Sequence, residues 1–370
     1  MRSLTSNDRI STLQLCVLTV MCMRVGIPNT NITYLSPYRT GFIVNNALAM
    51  LITLISLIPI MMLAARYPKR TLYEYSGELL GKKGGLILNA LVTLAAIGIA
   101  SGEIRPSLNI LQTYLLPNTP TWVTSALILT AVCYAIKGGI NSIARSSEIF
   151  FIISAICLAM VLAMSIPYID FTFFKRHFTF GSFEKTVSSS FSIFTSFFPM
   201  GILLFFTPFA DTKKPFTPVA LSVAATSVVF LLIAAIVESI FGTVLSTEMF
   251  SPLIELSKLI GSDNGLLPER SNIIFMVLYK MLPQFINCTV ALYIAALGLV
   301  SFFPRMSISV AGTLTSLLSF TVLLFPENSA QIISADRFWD MVQVSFLPLT
   351  LVLLTISVIK KKKKGNTICT

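Results

Sequence analysis

The chain is poor in charge. Only 12% of its 370 residues are Asp, Glu, Lys or Arg, against about 25% in soluble domains. Acids are the scarcer sign, 16 against 27 bases. There is a single histidine, His177, and the six cysteines show no CxxC or Cys/His spacing, so nothing proposes a metal site. Walker, HExxH, GxSxG and Rossmann patterns are absent. No polar segment is long enough to fold as a catalytic domain. These shortages argue against a soluble enzyme, a secreted disulfide scaffold and a disordered chain. The chain reads as a non-enzyme with no cofactor.

Apolar residues take the place of charge. They make up 55% of the chain, and the mean hydropathy is +0.82. A bilayer core takes about 20 apolar residues per helix. Ten stretches qualify: 11–34, 41–63, 86–115, 121–137, 147–168, 187–210, 217–242, 272–300, 306–325 and 338–359. The first lacks a small-residue cleavage site and is read as structure. The expected fold is an all-α membrane protein of ten transmembrane helices. Residues 1–10 precede the 11–359 membrane domain, and a Lys-rich tail, 360–370, follows it. Between spans 7 and 8, Pro252 to Ile260 fits a helix with Leu253, Leu256, Leu259 and Ile260 on one face. It suits a helix lying on the membrane or capping a vestibule, and equally an ordinary surface helix.

The excess of bases reports orientation. With the N-terminus inside, seventeen of the 27 basic residues fall in inner segments, including Lys360 to Lys364. The positive-inside rule then places both termini in the cytoplasm. A net charge of +11 is therefore a topology signal, and nucleic acid is not an expected partner. Membrane lipids are.

Ten spans divide into five plus five, a repeat over about 11–168 and another over about 187–359. In transporters built of inverted repeats, the first helix of each half is broken near the midplane. Span 1 carries Gly26-Ile27-Pro28 and span 6 carries Pro199-Met200-Gly201, both mid-stretch. Proline removes a backbone donor and glycine accepts unusual dihedrals, so both spans are expected to break there. Gly26, Ile27, Pro28, Phe197, Phe198, Pro199, Met200 and Gly201 form the expected ligand bed. Charged residues within spans are costly and point to function. Arg24, Glu103, Arg105 and Lys280 are the polar candidates, while Glu238 is explained by snorkelling at the outer end of span 7. Gly98-x-x-x-Gly102 in span 3 is read as helix packing. The N-x-S/T matches at Asn31 and Asn287 are read as chance.

Several stretches in order resemble one family. Ile10-Ser11-Thr12-Leu13-Gln14-Leu15 is similar to its opening. Arg105 followed by Thr113 to Pro120 is similar to its third span and the turn after it. Tyr134-Ala135-Ile136-Lys137-Gly138-Gly139-Ile140, then Ala144-Arg145 and Glu148, looks like the connection between its spans 4 and 5. Pro252 to Leu256 and Glu269-Arg270 also fit. The chain thus resembles the B subunits of endospore germinant receptors, the GerAB-type spore germination permeases. Pro106 and Ile202 stand where members often carry acids, and Tyr279 where many have Trp. The resemblance implies a LeuT-like fold of the amino acid–polyamine–organocation superfamily. It also implies a small germinant, often an amino acid, bound in the membrane core. Partners would be an A subunit and a C lipoprotein, and the location the inner membrane of a spore. A working amino-acid permease is the alternative. Arg145 and Glu148 are expected to pin the inner loop between spans 4 and 5.

Overall fold

The computed structural model describes residues 9–23, 42–170, 172, 183–196, 200–211, 215–248, 252–264, 269–325 and 329–366. The expected site residues Arg24, Gly26, Ile27, Pro28, Phe197, Phe198 and Pro199 lie outside them. Twelve α-helices are described: α1 (Thr12–Cys22), α2 (Phe42–Arg66), α3 (Leu72–Ile110), α4 (Thr121–Lys137), α5 (Gly139–Ser165), α6 (Phe183–Ser196), α7 (Met200–Phe206), α8 (Phe216–Glu248), α9 (Pro252–Asn264), α10 (Glu269–Phe302), α11 (Ile308–Leu324) and α12 (Ser329–Asn366). Among the described residues, six helical stretches are long and apolar enough to cross a bilayer. Shorter apolar helices occur at α1, α4 and α11. The protein is a helical integral membrane protein. α12 runs past the expected tail boundary, its helix continuing to Asn366.

Local sequence explains where the helices begin and turn. Ser11 and Gln14 open α1 with a reciprocal capping box: Gln14 N–H donates to Ser11 Oγ at 3.1 Å, and Ser11 N–H to Gln14 Oε1 at 3.0 Å. At the start of α3, Thr71 N–H donates to Glu74 Oε2 at 2.9 Å. Gly81, at φ 79°, breaks α3 into a short first limb and a long second one. A side chain is strained at that φ. The short limb folds back on the long one, where Ser76 Oγ donates to Asn89 Oδ1 at 2.8 Å and Asn89 Nδ2 to the Tyr73 carbonyl at 3.0 Å.

α10 lies at the centre of the bundle. In its most apolar stretch 67% of the residues are buried, against 22% in α12 at the periphery. Close approach uses small residues. A Cβ on Gly298 of α10 would strike Thr93 and Tyr73 of α3. One on Gly312 of α11 would strike Ile136 of α4, and one on Gly98 of α3 would run into the Trp339 ring of α12. The Gly98/Gly102 spacing is therefore a seat for an indole.

Two ties hold the start of α1. Gln14 Nε2 donates to Glu148 Oε2 on α5 at 3.3 Å. Ile10 pairs with the chain beyond α7: its N–H donates to the Phe209 carbonyl and its carbonyl accepts from Asp211 N–H, each at 2.9 Å. Arg9 Nη1 reaches Asp211 Oδ1 at 3.3 Å beside them.

At the other end, α9 presses Leu253, Ile254, Leu256 and Ile260 into an apolar cluster with α5, α8 and α10. It is fastened by Glu255 Oε1, which accepts from Tyr114 Oη at 2.9 Å and from Lys258 Nζ at 3.0 Å. The Lys258 ammonium also lies 4.7 Å from the Tyr114 ring centre, within cation–π range.

Candidate functional site

Two described helix ends lie near the expected breaks, of which only Met200 and Gly201 are among the described residues. α1 stops at Cys22, and Met23 turns to extended backbone at φ −71° and ψ 133°. In span 6 the described helices are α6, to Ser196, and α7, from Met200; residues 197–199 between them lie outside the described residues. A small, partly open cavity lies beside these ends.

Its walls come from five helices. Cys22 closes one side from α1, and Ala96 and Ile99 face it from α3. Gly201, Ile202 and Phe205 come from the first turns of α7. α10 supplies Asn287, Ala291 and Ile294, and α12 supplies Gln343 and Phe346. The surface is mostly apolar. Asn287 and Gln343 offer amides and Cys22 a thiol, and no cation lines the cavity among the described residues. Gly201 faces the Phe346 ring, and a Cβ there would make an ordinary contact with it, 3.6 Å from Cδ1.

Glu103 stands behind the wall on α3, buried, and accepts from Gln343 Nε2 at 3.2 Å. The acid thus reaches the cavity through the amide that lines it. Such an arrangement can hold a small ligand by apolar contact and direct one hydrogen-bond donor toward the Gln343–Glu103 pair.

The other expected residues separate. Gly201 lines the cavity. Met200 begins α7 beside it, its side chain lying outside the described residues. Arg105 is buried on α3 and Lys280 on α10, yet neither lines the cavity. Ser107 Oγ donates to Gln284 Oε1 between those two helices. Arg145 is exposed, while Glu148 holds Gln14. Glu238 corrects the snorkelling expectation: it is 4% exposed, and its Oε2 has no hydrogen-bond partner among the described residues. Its place on the long buried face of α8 keeps the carboxylate from reaching water.

Asn287, Gln343 and Phe346 were not singled out from sequence. Asn287 stood out only as a chance glycosylation match. The one available signal for Gln343 was an uncharged amide in an apolar span, three residues before an aromatic and thus on the same helix face.

The helical bundle with its cavity has a LeuT-like all-α membrane fold. The chain belongs to the spore germination protein family described as Spore_permease, whose profile matches residues 9–332. Among curated relatives, spore germination protein YndE of Bacillus subtilis (strain 168) is 27% identical over 316 residues, covering 82% of this chain and 83% of the relative. Spore germination protein B2 of the same organism is 27% identical over 266 residues, 70% of each chain. Among solved structures, MhsT in complex with L-phenylalanine superposes at a TM-score of 0.65 with 17% identity, covering 92% of this chain and 87% of that one. Mhp1, a nucleobase-cation-symport-1 family transporter solved closed with bromovinylhydantoin bound, superposes at 0.61 with 14% identity, covering 94% and 78%. At such identities the likeness is one of fold. Family and fold neighbours alike are germination proteins and transporters rather than enzymes.

Proposed function

We propose that this spore germination protein is the membrane B-type subunit of a germinant receptor and that its germinant, a small amino acid, binds in the cavity between the ends of α1 and α7. The observation carrying this reading is the Gln343–Glu103 pair at an otherwise apolar wall. An ammonium group is the donor such a pair favours. Gly26, Ile27, Pro28, Phe197, Phe198, Pro199, Met200 and Gly201 complete the bed, where half-helix ends hold the carboxylate. Binding biases a rocking equilibrium of the bundle by no more than the ligand's differential affinity for the two states. An A subunit and a C lipoprotein relay that shift.

Ten membrane spans in two inverted halves accommodate the helices, with α6 and α7 sharing one span. The order of long helix, short helix, long helix supports the repeat. It occurs at α2, the first limb of α3 and its second limb, and again at α8, α9 and α10. The spore inner membrane, with both termini cytoplasmic, is the setting this reading requires.

The second reading is an amino-acid permease, favoured by transporter neighbours such as MhsT with its bound L-phenylalanine. Two measurements separate them. Spores lacking other receptors should germinate on a single amino acid only when this chain is expressed with its A and C partners. Vesicles holding this chain alone should then take up no labelled amino acid. Uptake by the chain alone, with no germination phenotype, supports the permease instead.

A further inference from the structure

One end of the bundle carries a charge pattern that the cavity leaves unused. Three segments meet there: the end of α2 with the turn after it, the start of α3, and the end of α12. They bring Arg66, Lys69, Arg70, Lys82, Lys83 and Lys360, the last being the first residue of a five-lysine run in the sequence. Glu74 and Glu78 are the only acids in these segments.

The segments are fastened to one another. Arg66 Nη1 and Tyr67 Oη each donate to Ser357 Oγ of α12 at 3.3 Å. Lys360 Nζ donates to the Glu78 carbonyl at 2.7 Å. Both acids are already engaged: Glu74 Oε2 accepts from Thr71 N–H, and Glu78 Oε1 from Arg70 Nη2 at 2.7 Å. The Glu78 carboxylate raises Arg70 above its ordinary guanidinium value, chiefly through that hydrogen bond. Lys69, Lys82 and Lys83 remain exposed, so the surface has a large uncompensated positive charge.

The level of this surface is marked by its neighbours. Exposed apolar Met62 lies about one turn from Arg66, exposed Leu86 and Ile87 about one turn from Lys83, and exposed Ile359 beside Lys360. On three helices the exposed side chains change from apolar to basic within about a turn. That change marks where hydrocarbon gives way to headgroups. The occupant whose charge and depth match is therefore a lipid phosphate.

We propose that this junction binds the phosphate headgroups of anionic phospholipids, and that bound lipid holds the end of α12 against α2 and the short limb of α3. α12 also carries Gln343 and Phe346 of the cavity wall. Lipid at the junction thereby fixes the helix that carries part of that wall.

The test uses the full chain, purified in detergent and examined by native mass spectrometry and thermal melting with phosphatidylglycerol or phosphatidylcholine. The combined variant Lys69→Gln, Lys82→Gln, Lys83→Gln is compared with the same three positions changed to Arg. The wild type and the Arg variant should retain phosphatidylglycerol in preference and melt higher with it. The Gln variant should lose both effects, by roughly fivefold in affinity per lysine, while melting like the wild type in phosphatidylcholine. Inorganic phosphate should neither displace the lipid nor raise the melting temperature. Equal retention of the two lipids by the wild type overturns the proposal, as does unchanged preference in the Gln variant. Stabilisation by inorganic phosphate alone equal to that by lipid assigns the junction to a soluble anion and overturns it too. An acidic protein segment as sole occupant appears as no lipid preference in any variant.

Discussion

Gln343 of α12 and Glu103 of α3, 240 residues apart, are joined by a 3.2 Å hydrogen bond at the edge of the cavity. The bond couples α12 to α3 through a buried acid beside the apolar wall.

Changing Glu103 to Gln keeps its size and removes its charge. If the acid faces a ligand ammonium, the germinant concentration giving half-maximal response should rise by roughly tenfold or more. Dose–response curves of spores carrying E103Q check this, and Gln343→Leu should shift the curve in the same direction.

Gly201 controls the space beside Phe346. An alanine Cβ there would meet the ring at 3.6 Å, an ordinary contact, so Gly201→Ala should leave the melting temperature nearly unchanged while shrinking the cavity. Gly201→Val should abolish the response. Phe346→Ala should extend the response to larger amino acids, as read by germination across a side-chain size series.

Gly98 gives the opposite result. Any Cβ there runs into the Trp339 ring, and overpacking costs about 1–3 kcal/mol. Gly98→Ala should therefore lower thermal stability, and adding Trp339→Leu should recover part of the loss. Full additivity of the two changes would show that they do not touch.

At the start of α1, backbone pairing should outweigh charge. Arg9 and Asp211 are more than half exposed, and such pairs contribute about 0–1 kcal/mol. Asp211→Asn should change melting little. Ile10→Pro removes the N–H that donates to Phe209 and should loosen α1. Faster hydrogen exchange over 12–22 would report it.

The helical membrane fold was legible because hydropathy and length are one-dimensional signals. Proline and glycine act on their own backbone, so Gly26–Pro28 and Pro199–Gly201 drew attention to the stretches beside the end of α1 and the start of α7. Packing partners were not legible in the same way. Gly98 announced a close approach without naming Trp339, which lies on another helix. Asn287 and Gln343 are single amides in apolar runs, and only the tertiary arrangement turns them toward one cavity. Glu238 looked like a residue at a membrane edge, but the packing around α8 encloses it. Lys280 was conspicuous as a charge, yet the cavity lies elsewhere along α10.

Cys22 offers the most direct test of the central claim, since its thiol lines the cavity at the end of α1. In a variant with Cys16, Cys133, Cys157, Cys288 and Cys369 changed to Ser, a membrane-permeant thiol reagent modifies Cys22 alone. A germinant bound at the breaks should slow that modification several-fold, with half-protection near the concentration that triggers germination. An unchanged rate at saturating germinant, in a variant that still supports germination, would contradict binding in this cavity.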